Sequence, residues 1–573
     1  MPNYFTDNPD LVFHFENLDI EEIVAIAEDN YRDAQSYNYA PTDYPDAIEN
    51  YGKVLEIVGD IAANFVAPRA AEVDMEGNTI KDGRVTYAKG IQESLNQLAQ
   101  AELMGCTLPR RYGGLNFPTT IYTMAIEMIS RADASLMNLF GLQDVGVTIY
   151  KYGTEEQRAE FLPKFASGEC TGAMVLTEPD AGSDLQAVML QAYQDDKGDW
   201  YLRGVKRFIT NGCGDILLVL ARSEPGTRDA RGLSLFVCYG DDSVKVRRIE
   251  NKFGIRGSPT CELQFNNTPA QLIGKRKFGL IKYVMDLMNG ARLGVAAQAL
   301  GISQAAYEEA LKYAQAREQF GKKIYHIPVV TNMLIDMRVT LESNRSLLYA
   351  TARWVDLRDK LEEQISRLKE EGKPIEEQNL RFREASRIAA LLTPIAKYVL
   401  SESANQICYD ALQIHGGAGY MKEFGIERLV RDARITNIYE GTSQMQIVAA
   451  TGGVINDILA EHFNQKEEHA YKGALIKLTD CLKEIRQIFH ESLRYVLDKQ
   501  DKYFQDVAAK ELVEIYSYIY IGYLLLDEAE LSSRKVFIAN RYIVSALARA
   551  RTHAEAIKNE QFSDLLHADK ILI

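Results

Sequence analysis

The feature that most constrains this chain is a change of texture near Cys170, from helical periodicity to short β-rich runs, with a return to helix near Ile281. Residues 171–176, 200–202, 206–210, 216–221, 233–238, 244–248 and 260–265 form the runs, parted by turn clusters such as Asp195-Asp196-Lys197-Gly198 and Gly240-Asp241-Asp242-Ser243. Short strands separated by polar turns predict a small sandwich or barrel. No helix of crossover length lies between them, which argues against a doubly wound parallel sheet.

On either side the spacing is helical. Ile57, Ile61, Ala62 and Phe65 recur at three- and four-residue intervals, and Thr154 with Gln157 three residues later reads as a capping box. Downstream, Leu293, Ala297, Leu300, Tyr307, Leu311 and Ala314 mark one helical stripe. A second long helix is expected over 329–369, its charged half (356–371) protruding into solvent, and a third over 381–413, with Gly372 and Pro374 breaking the chain between them. The expected class is mainly α with a central small β-domain. The division is an acidic N-terminal extension (1–44), an N-terminal helical domain (45–169), a middle β-domain (170–280), a C-terminal helical bundle with a charged hairpin insertion near 356–380 (281–453), and an extra helical C-terminal domain (454–573).

The formal charge of −15 is unevenly spread. Residues 1–60 hold 14 acidic and two basic residues, a net of −12, so the rest of the chain carries only −3. There is no basic footprint for nucleic acid. Seven scattered cysteines without C-x-x-C spacing read as reduced thiols, and eight histidines form no metal-binding pair. The N-terminus lacks the basic and apolar regions of a targeting segment, and the longest apolar stretch, 513–525, is too short to span a bilayer. A cytoplasmic protein without a transmembrane segment or metal is expected.

Four segments concentrate small residues, hydroxyls and charge. In 174–185, Pro179, Asp180 and Gly182 make a tight turn that leaves Thr177, Ser183 and backbone N–H groups available to an acceptor-rich ligand; a plain β-turn is the bland alternative. In 206–212, strand alternation places Phe208 and Thr210 on one face, suited to a flat heterocycle, although Phe in a strand is more often core. In 316–324, Gly321 terminates a helix with Arg317 and Phe320 one turn apart, a pyrophosphate clamp beside an aromatic cover or simply a solvated C-cap. In 413–446, the HGGAG glycines lack G-x-G-x-x-G spacing and follow a helix, which rejects a Rossmann site; His415 reads as structural. Glu440, between Tyr439 and Gly441, either complements the dipole of a helix capped by Thr442 and Ser443 or is a partly desolvated base.

Together and in order, YGTEEQRAEFLP, LTEPDAGSD, FITNG, GARLGVAAQALG, AREQFGKKI, QIHGGAGY and RDARITNIYEGTSQMQ make the chain resemble the acyl-CoA dehydrogenase family over roughly residues 45–453. The resemblance implies a helical domain, a β-barrel or sandwich and a four-helix bundle, with FAD as cofactor and an acyl-CoA thioester as substrate. It implies that Glu440 removes the α-proton, because the other place where relatives carry this base, 289–292, holds no carboxylate here. It assigns FAD contacts to Met174, Leu176, Thr177, Ser183, Phe208 (Trp in many relatives), Thr210, Arg317, Gln319, Phe320, Gln413, Gly417, Thr442 and Gln444. Acyl-CoA contacts fall to Ser183, Met288, Asn289, Arg292, Tyr439 and Gly441. An electron-transferring flavoprotein and a homodimer or homotetramer follow as expected partners.

The acidic extension, the charged hairpin and the block after Gly453 resemble the longer subgroup that includes 3-methylthiopropanoyl-CoA dehydrogenase-like enzymes. SLMNLFG (135–141) offers no Arg, which disfavours a dicarboxylyl substrate. The rivals are an acyl-CoA oxidase, which passes electrons to oxygen, and a flavin-bound DNA-protective relative with little dehydrogenase activity. The acidic charge and the intact YEGT count against the latter.

Overall fold

Strand Ile216–Arg222 is buried along its whole length, and this sets the architecture around it. Leu217, Val219 and Phe236 face a barrel interior with Val175, Ile209 and Phe265, while Leu218, Leu220 and Leu235 face outward onto Phe161 and Phe165. Period-two alternation normally buries one strand face; here both are apolar because the interior takes one and helices cover the other. Ile216–Arg222 pairs antiparallel with Leu233–Tyr239, which pairs with Thr260–Ile273, then Trp200–Thr210, then Gln191–Gln194. Gln191 returns to Arg222 and closes the ring. Gly172–Val175 adds in parallel to Ile216–Arg222, and Val244–Ile249 adds to Thr260–Ile273. The β-domain is thus a barrel as expected, with one short strand, Gln191–Gln194, that the sequence does not reveal.

The chain, seen in a computed structural model that describes residues 1–559 and 563–573, divides into two compact units. The first comprises Met1–Tyr313 and Ala404–Glu440; the second comprises Ala314–Ser403 and Gly441–Ile573. Residues 560–562, within the expected C-terminal block, lie outside the described residues.

In the first unit the barrel joins helices of the N-terminal region. Helix Glu155–Ser167 carries the expected capping box, with the Thr154 hydroxyl accepting from Gln157 N and the Gln157 carbonyl from Thr154 N. The acidic extension is not a loose appendage. Its helices Pro9–Glu16 and Glu21–Ala27 bury Leu11, Ile23 and Val24, and the Tyr4 ring lies 3.6 Å from the Arg131 guanidinium. Glu28 forms a buried bidentate pair with Arg110, at 2.5 and 2.9 Å, and Asp33 joins it at 3.1 Å.

The second unit is helical. Pro328–Glu370 and Glu376–His415 are longer than expected at their ends and separated by a turn of a few residues. The charged half of Pro328–Glu370 does not protrude: Asp356, Leu361 and Ile365 are buried. That helix packs on Lys502–Leu531 and Ser533–Lys558, where Arg534 grips Glu342 at 2.7 Å through both nitrogens. One apolar stripe was enough to bury a face despite the surrounding charge. The apolar run at 513–525 is the buried middle of Lys502–Leu531, and no helix among the described residues is long and apolar enough to cross a membrane.

Candidate active site

Strand Trp200–Thr210 carries a bulge between Lys206 and Ile209, where Phe208 sits in the left-handed region at φ 58°. The bulge inserts an extra residue, so Lys206 and Ile209 both turn inward and simple alternation fails. Phe208 is consequently 52% exposed rather than core, with the Arg207 guanidinium 4.6 Å from the ring centroid.

The loop after Gly172–Val175 is tied to this bulge. Lys206 is fully buried; its Nζ donates to Leu176 O at 2.6 Å and pairs with Glu178 at 3.0 Å. Glu178 also accepts from the N–H groups of Met189 and Leu190 at 2.8 and 2.9 Å, and Arg207 N donates to Thr177 O at 3.0 Å. Leu176 and Thr177 are therefore tied to Lys206 and Arg207, next to Phe208 in the chain, while Met174 pairs with Leu218, Thr210 with Thr260, and Ser183 lies exposed at the far end of the turn. Sequence reasoning missed Lys206 and Glu178, although a lysine and a glutamate each flanking a β-rich run are a usable signal. Burial pulls the Lys206 ammonium down to about 8, against the opposing pull of Glu178. A lysine depressed in the folded state binds its proton more tightly when unfolded, so stability rises as pH climbs from about 8 toward the free-lysine value near 10.4 and is lowest below 8. Lys206→Met is expected to abolish that slope in thermal midpoints recorded from pH 7 to 10. It should also cost on the order of 1–3 kcal/mol, because Glu178 loses its buried counter-charge while keeping two N–H donors.

Glu440 has a left-handed backbone, φ 54°, immediately before Gly441 at φ 91°. On helix Met285–Ala316, Arg292 is buried, its Nη1 donating to Asn289 Oδ1 at 3.0 Å. Burial lowers its affinity for a proton, and the Glu440 carboxylate opposes that. Arg292 Nε is buried without a hydrogen-bond partner among the described residues. Met288, one turn earlier, borders the same apolar cluster as Met174. Tyr439 donates to Gln298, and its oxygen lies 3.2 Å from Asn138 Oδ1. Burial, followed by the charge of Glu440, pushes its phenol well above the ordinary value, so it remains a donor. Asn138 and Gln298 are partners that the sequence alone did not single out.

Other expected site residues lie elsewhere. Gln413 and Gly417 close the first unit's part of helix Glu376–His415 and the turn after it, both exposed; His415 is buried, with its Nδ1 2.7 Å from Ala411 O and its ring stacked 4.4 Å from Tyr313. The helix expected to end at Gly321 ends at Ala316 instead. Glu318–Gln319 and Lys322–Lys323 form a small hairpin in the second unit with Phe320 and Gly321 at its tip, both at positive φ, leaving Phe320 91% exposed and Arg317 before the first strand. Two consecutive left-handed residues suit a tight hairpin better than a helix end. Also in the second unit, Thr442 caps Ser443–Ile455 by accepting from Met445 N, with Gln444 in its first turn. Gly441 O accepts from the buried Lys397 Nζ at 2.7 Å and from Gln446 Nε2 at 2.9 Å.

Known proteins match the chain domain by domain. The chain matches the acyl-CoA dehydrogenase N-terminal domain over residues 49–169, the middle domain over 173–268 and the C-terminal domain over 281–372 and 378–451. It is 31% identical to 3-methylmercaptopropionyl-CoA dehydrogenase of Ruegeria pomeroyi over 499 residues, 79% of this chain and 81% of that protein. The structure of butyryl-CoA dehydrogenase from Megasphaera elsdenii, 31% identical, superposes with a TM-score of 0.60 over 71% of this chain and 98% of the other. An acyl-CoA dehydrogenase from Bacillus anthracis complexed with FAD, 24% identical, shares the fold with a TM-score of 0.75 over 89% and 88% of the two chains. With three successive domain matches covering most of its length, the chain belongs to the acyl-CoA dehydrogenase family of oxidoreductases.

Proposed function

We propose that the protein is an FAD-dependent acyl-CoA dehydrogenase that converts an acyl-CoA to its 2,3-enoyl-CoA, with Glu440 as the base that takes the α-proton. The observation that carries this reading is the carboxylate of Glu440 set in strained backbone opposite a buried arginine. An α-C–H beside a thioester is a poor acid, so its removal needs a carboxylate that is ionised yet shielded from water. The Arg292 charge favours the ionised form, and its unpartnered Nε offers a donor to the acyl-CoA beside Met288 and Asn289. Ser183, Tyr439 and Gly441 complete the substrate contacts in this reading.

The residues fit a flavin. Phe208 presents an open aromatic edge at the bulge, flanked by Met174, Leu176, Thr177 and Thr210 on a backbone that Lys206 holds in place. Arg317, Gln319, Phe320, Gln413, Gly417, Thr442 and Gln444 supply an exposed guanidinium, amides and ring and a half-buried hydroxyl, the groups that a pyrophosphate and adenine require. FAD would accept the β-hydride, a reaction that no side chain of this chain can perform. An electron-transferring flavoprotein as electron acceptor, a homodimer or homotetramer, and a cytoplasmic location complete the proposal.

Purified protein is expected to be yellow, with FAD released on heating. A straight-chain acyl-CoA series is expected to bleach the flavin band when added anaerobically without an acceptor, and to yield an enoyl-CoA with reduction of ferrocenium when that acceptor is present. Absence of turnover across the series, or rapid turnover with oxygen alone and formation of hydrogen peroxide, would overturn the dehydrogenase reading, the latter in favour of an oxidase.

A further inference from the structure

We infer that Gln298 and Asn138 are positioning residues for the Glu440 carboxylate, acting through the hydroxyl of Tyr439; this rests on Glu440 being the base. Gln298 is fully buried in helix Met285–Ala316, and Asn138 is buried in Ala134–Gly141. Gln298 Oε1 accepts from Tyr439, and Nε2 donates to Ala134 O at 2.9 Å and to Asn138 Oδ1 at 3.1 Å. Rotating the amide by half a turn would set its oxygen against both of those oxygens and its NH2 against the phenol. The Gln298 carbonyl is therefore locked toward Tyr439. Because Asn138 Oδ1 accepts from that fixed Nε2, the second amide is oriented as well, with its Nδ2 3.4 Å from Ser258 Oγ.

The lock matters because of the residue next in sequence. A non-glycine residue in left-handed backbone, as Glu440 is at φ 54°, costs on the order of 1–2 kcal/mol and persists only where its surroundings over-determine it. Tyr439 is the side-chain anchor immediately before it, half-buried, with its hydroxyl committed to the fully buried Gln298. Freed of that bond, the peptide before Glu440 relaxes and the carboxylate leaves the geometry needed for proton removal.

The test uses the holoenzyme and four variants: Tyr439→Phe, Gln298→Met, their double, and Glu440→Gln. The substrate is the 2,2-dideuterated and the protiated form of whichever straight-chain acyl-CoA, from butyryl to palmitoyl, the wild type oxidises fastest with ferrocenium. Misplacing a catalytic group by about an ångström costs up to ~100-fold, so a fall in kcat of roughly tenfold is expected for Tyr439→Phe and for Gln298→Met. KM should change little, FAD content should be unaltered and the deuterium isotope effect on kcat should rise, a combination that mere loosening of the fold does not produce. The double variant should be no slower than the slower single, since both remove one interaction. Unchanged kcat and isotope effect in Tyr439→Phe, or multiplicative losses in the double, would overturn the inference. If Gln298→Met does not fold, Tyr439→Phe decides alone, because it leaves the other two Gln298 bonds in place. Full turnover in Glu440→Gln would instead overturn the base assignment and this inference with it, whereas an inactive Glu440→Gln beside an unaffected Tyr439→Phe would sink the positioning role only.

Discussion

Glu440→Gln is expected to bind FAD like the wild type and to lose about two orders of magnitude or more in turnover, the scale of removing a general base. The substitution keeps the shape and backbone demands of the side chain but replaces a proton acceptor with an amide that cannot take the α-proton. Tyr439, Gln298 and Arg292 retain their places, so acyl-CoA binding should persist. Arg292 loses its neighbouring negative charge, however, and binding of the thioester could only tighten on that account, not weaken. Rapid-mixing absorbance of the flavin band separates the two effects: normal binding with slow bleaching is the expected trace. Wild-type bleaching would place the base elsewhere.

Arg110→Met is expected to be the most destabilising single change, at about 3–5 kcal/mol, the usual cost of removing one member of a buried ion pair. Glu28 is wholly buried, and among the described residues it would keep only the 3.4 Å contact from Asn116 Nδ2, with Asp33 adding a second unbalanced carboxylate beside it. The change should appear as a lower thermal midpoint and as rapid proteolysis near 29–31, where Asp29, Asn30 and Tyr31 are successive left-handed residues. The double variant Glu28→Gln with Arg110→Met should recover part of the loss, because no isolated charge is then buried. A midpoint unchanged in Arg110→Met would show that the pair does not secure the N-terminal helices.

The elements with strong periodicity were legible in the sequence, since a helix such as Pro328–Glu370 repeats its apolar signal over many turns. Four-residue Gln191–Gln194 was not, because it buries only Ala192. Charge along 356–371 suggested solvent exposure, yet burial is decided by Asp356, Leu361 and Ile365 alone, one stripe that composition averages away. At the site, Phe208 and Glu440 were legible as residue types in ordered motifs; their backbone was not, because a bulge and a left-handed φ are settled by pairing and anchoring elsewhere. Gln298 was not singled out in the sequence, because its partners Asn138, 160 positions earlier, and Tyr439, 141 positions later, meet it only in the fold. The hairpin at Phe320 escaped for a related reason: Gly321 punctuates either a helix end or a two-residue turn, and only the Glu318 to Lys323 pairing distinguishes them.

The barrel has a consequence for how the chain is made. Thr260–Ile273 is the partner of three strands, Trp200–Thr210, Leu233–Tyr239 and Val244–Ile249, so it completes every one of those ladders. On the ribosome, Phe161 and Phe165 emerge more than fifty residues before Leu218 and Leu235 can cover them on a finished sheet. Pairing across such separations is slow compared with helix formation. Between synthesis of helix Glu155–Ser167 and emergence of Ile273, the sheet-facing side of Phe161 and Phe165 therefore lacks its final cover, and exposed apolar surface of this kind is what makes a growing chain prone to aggregate.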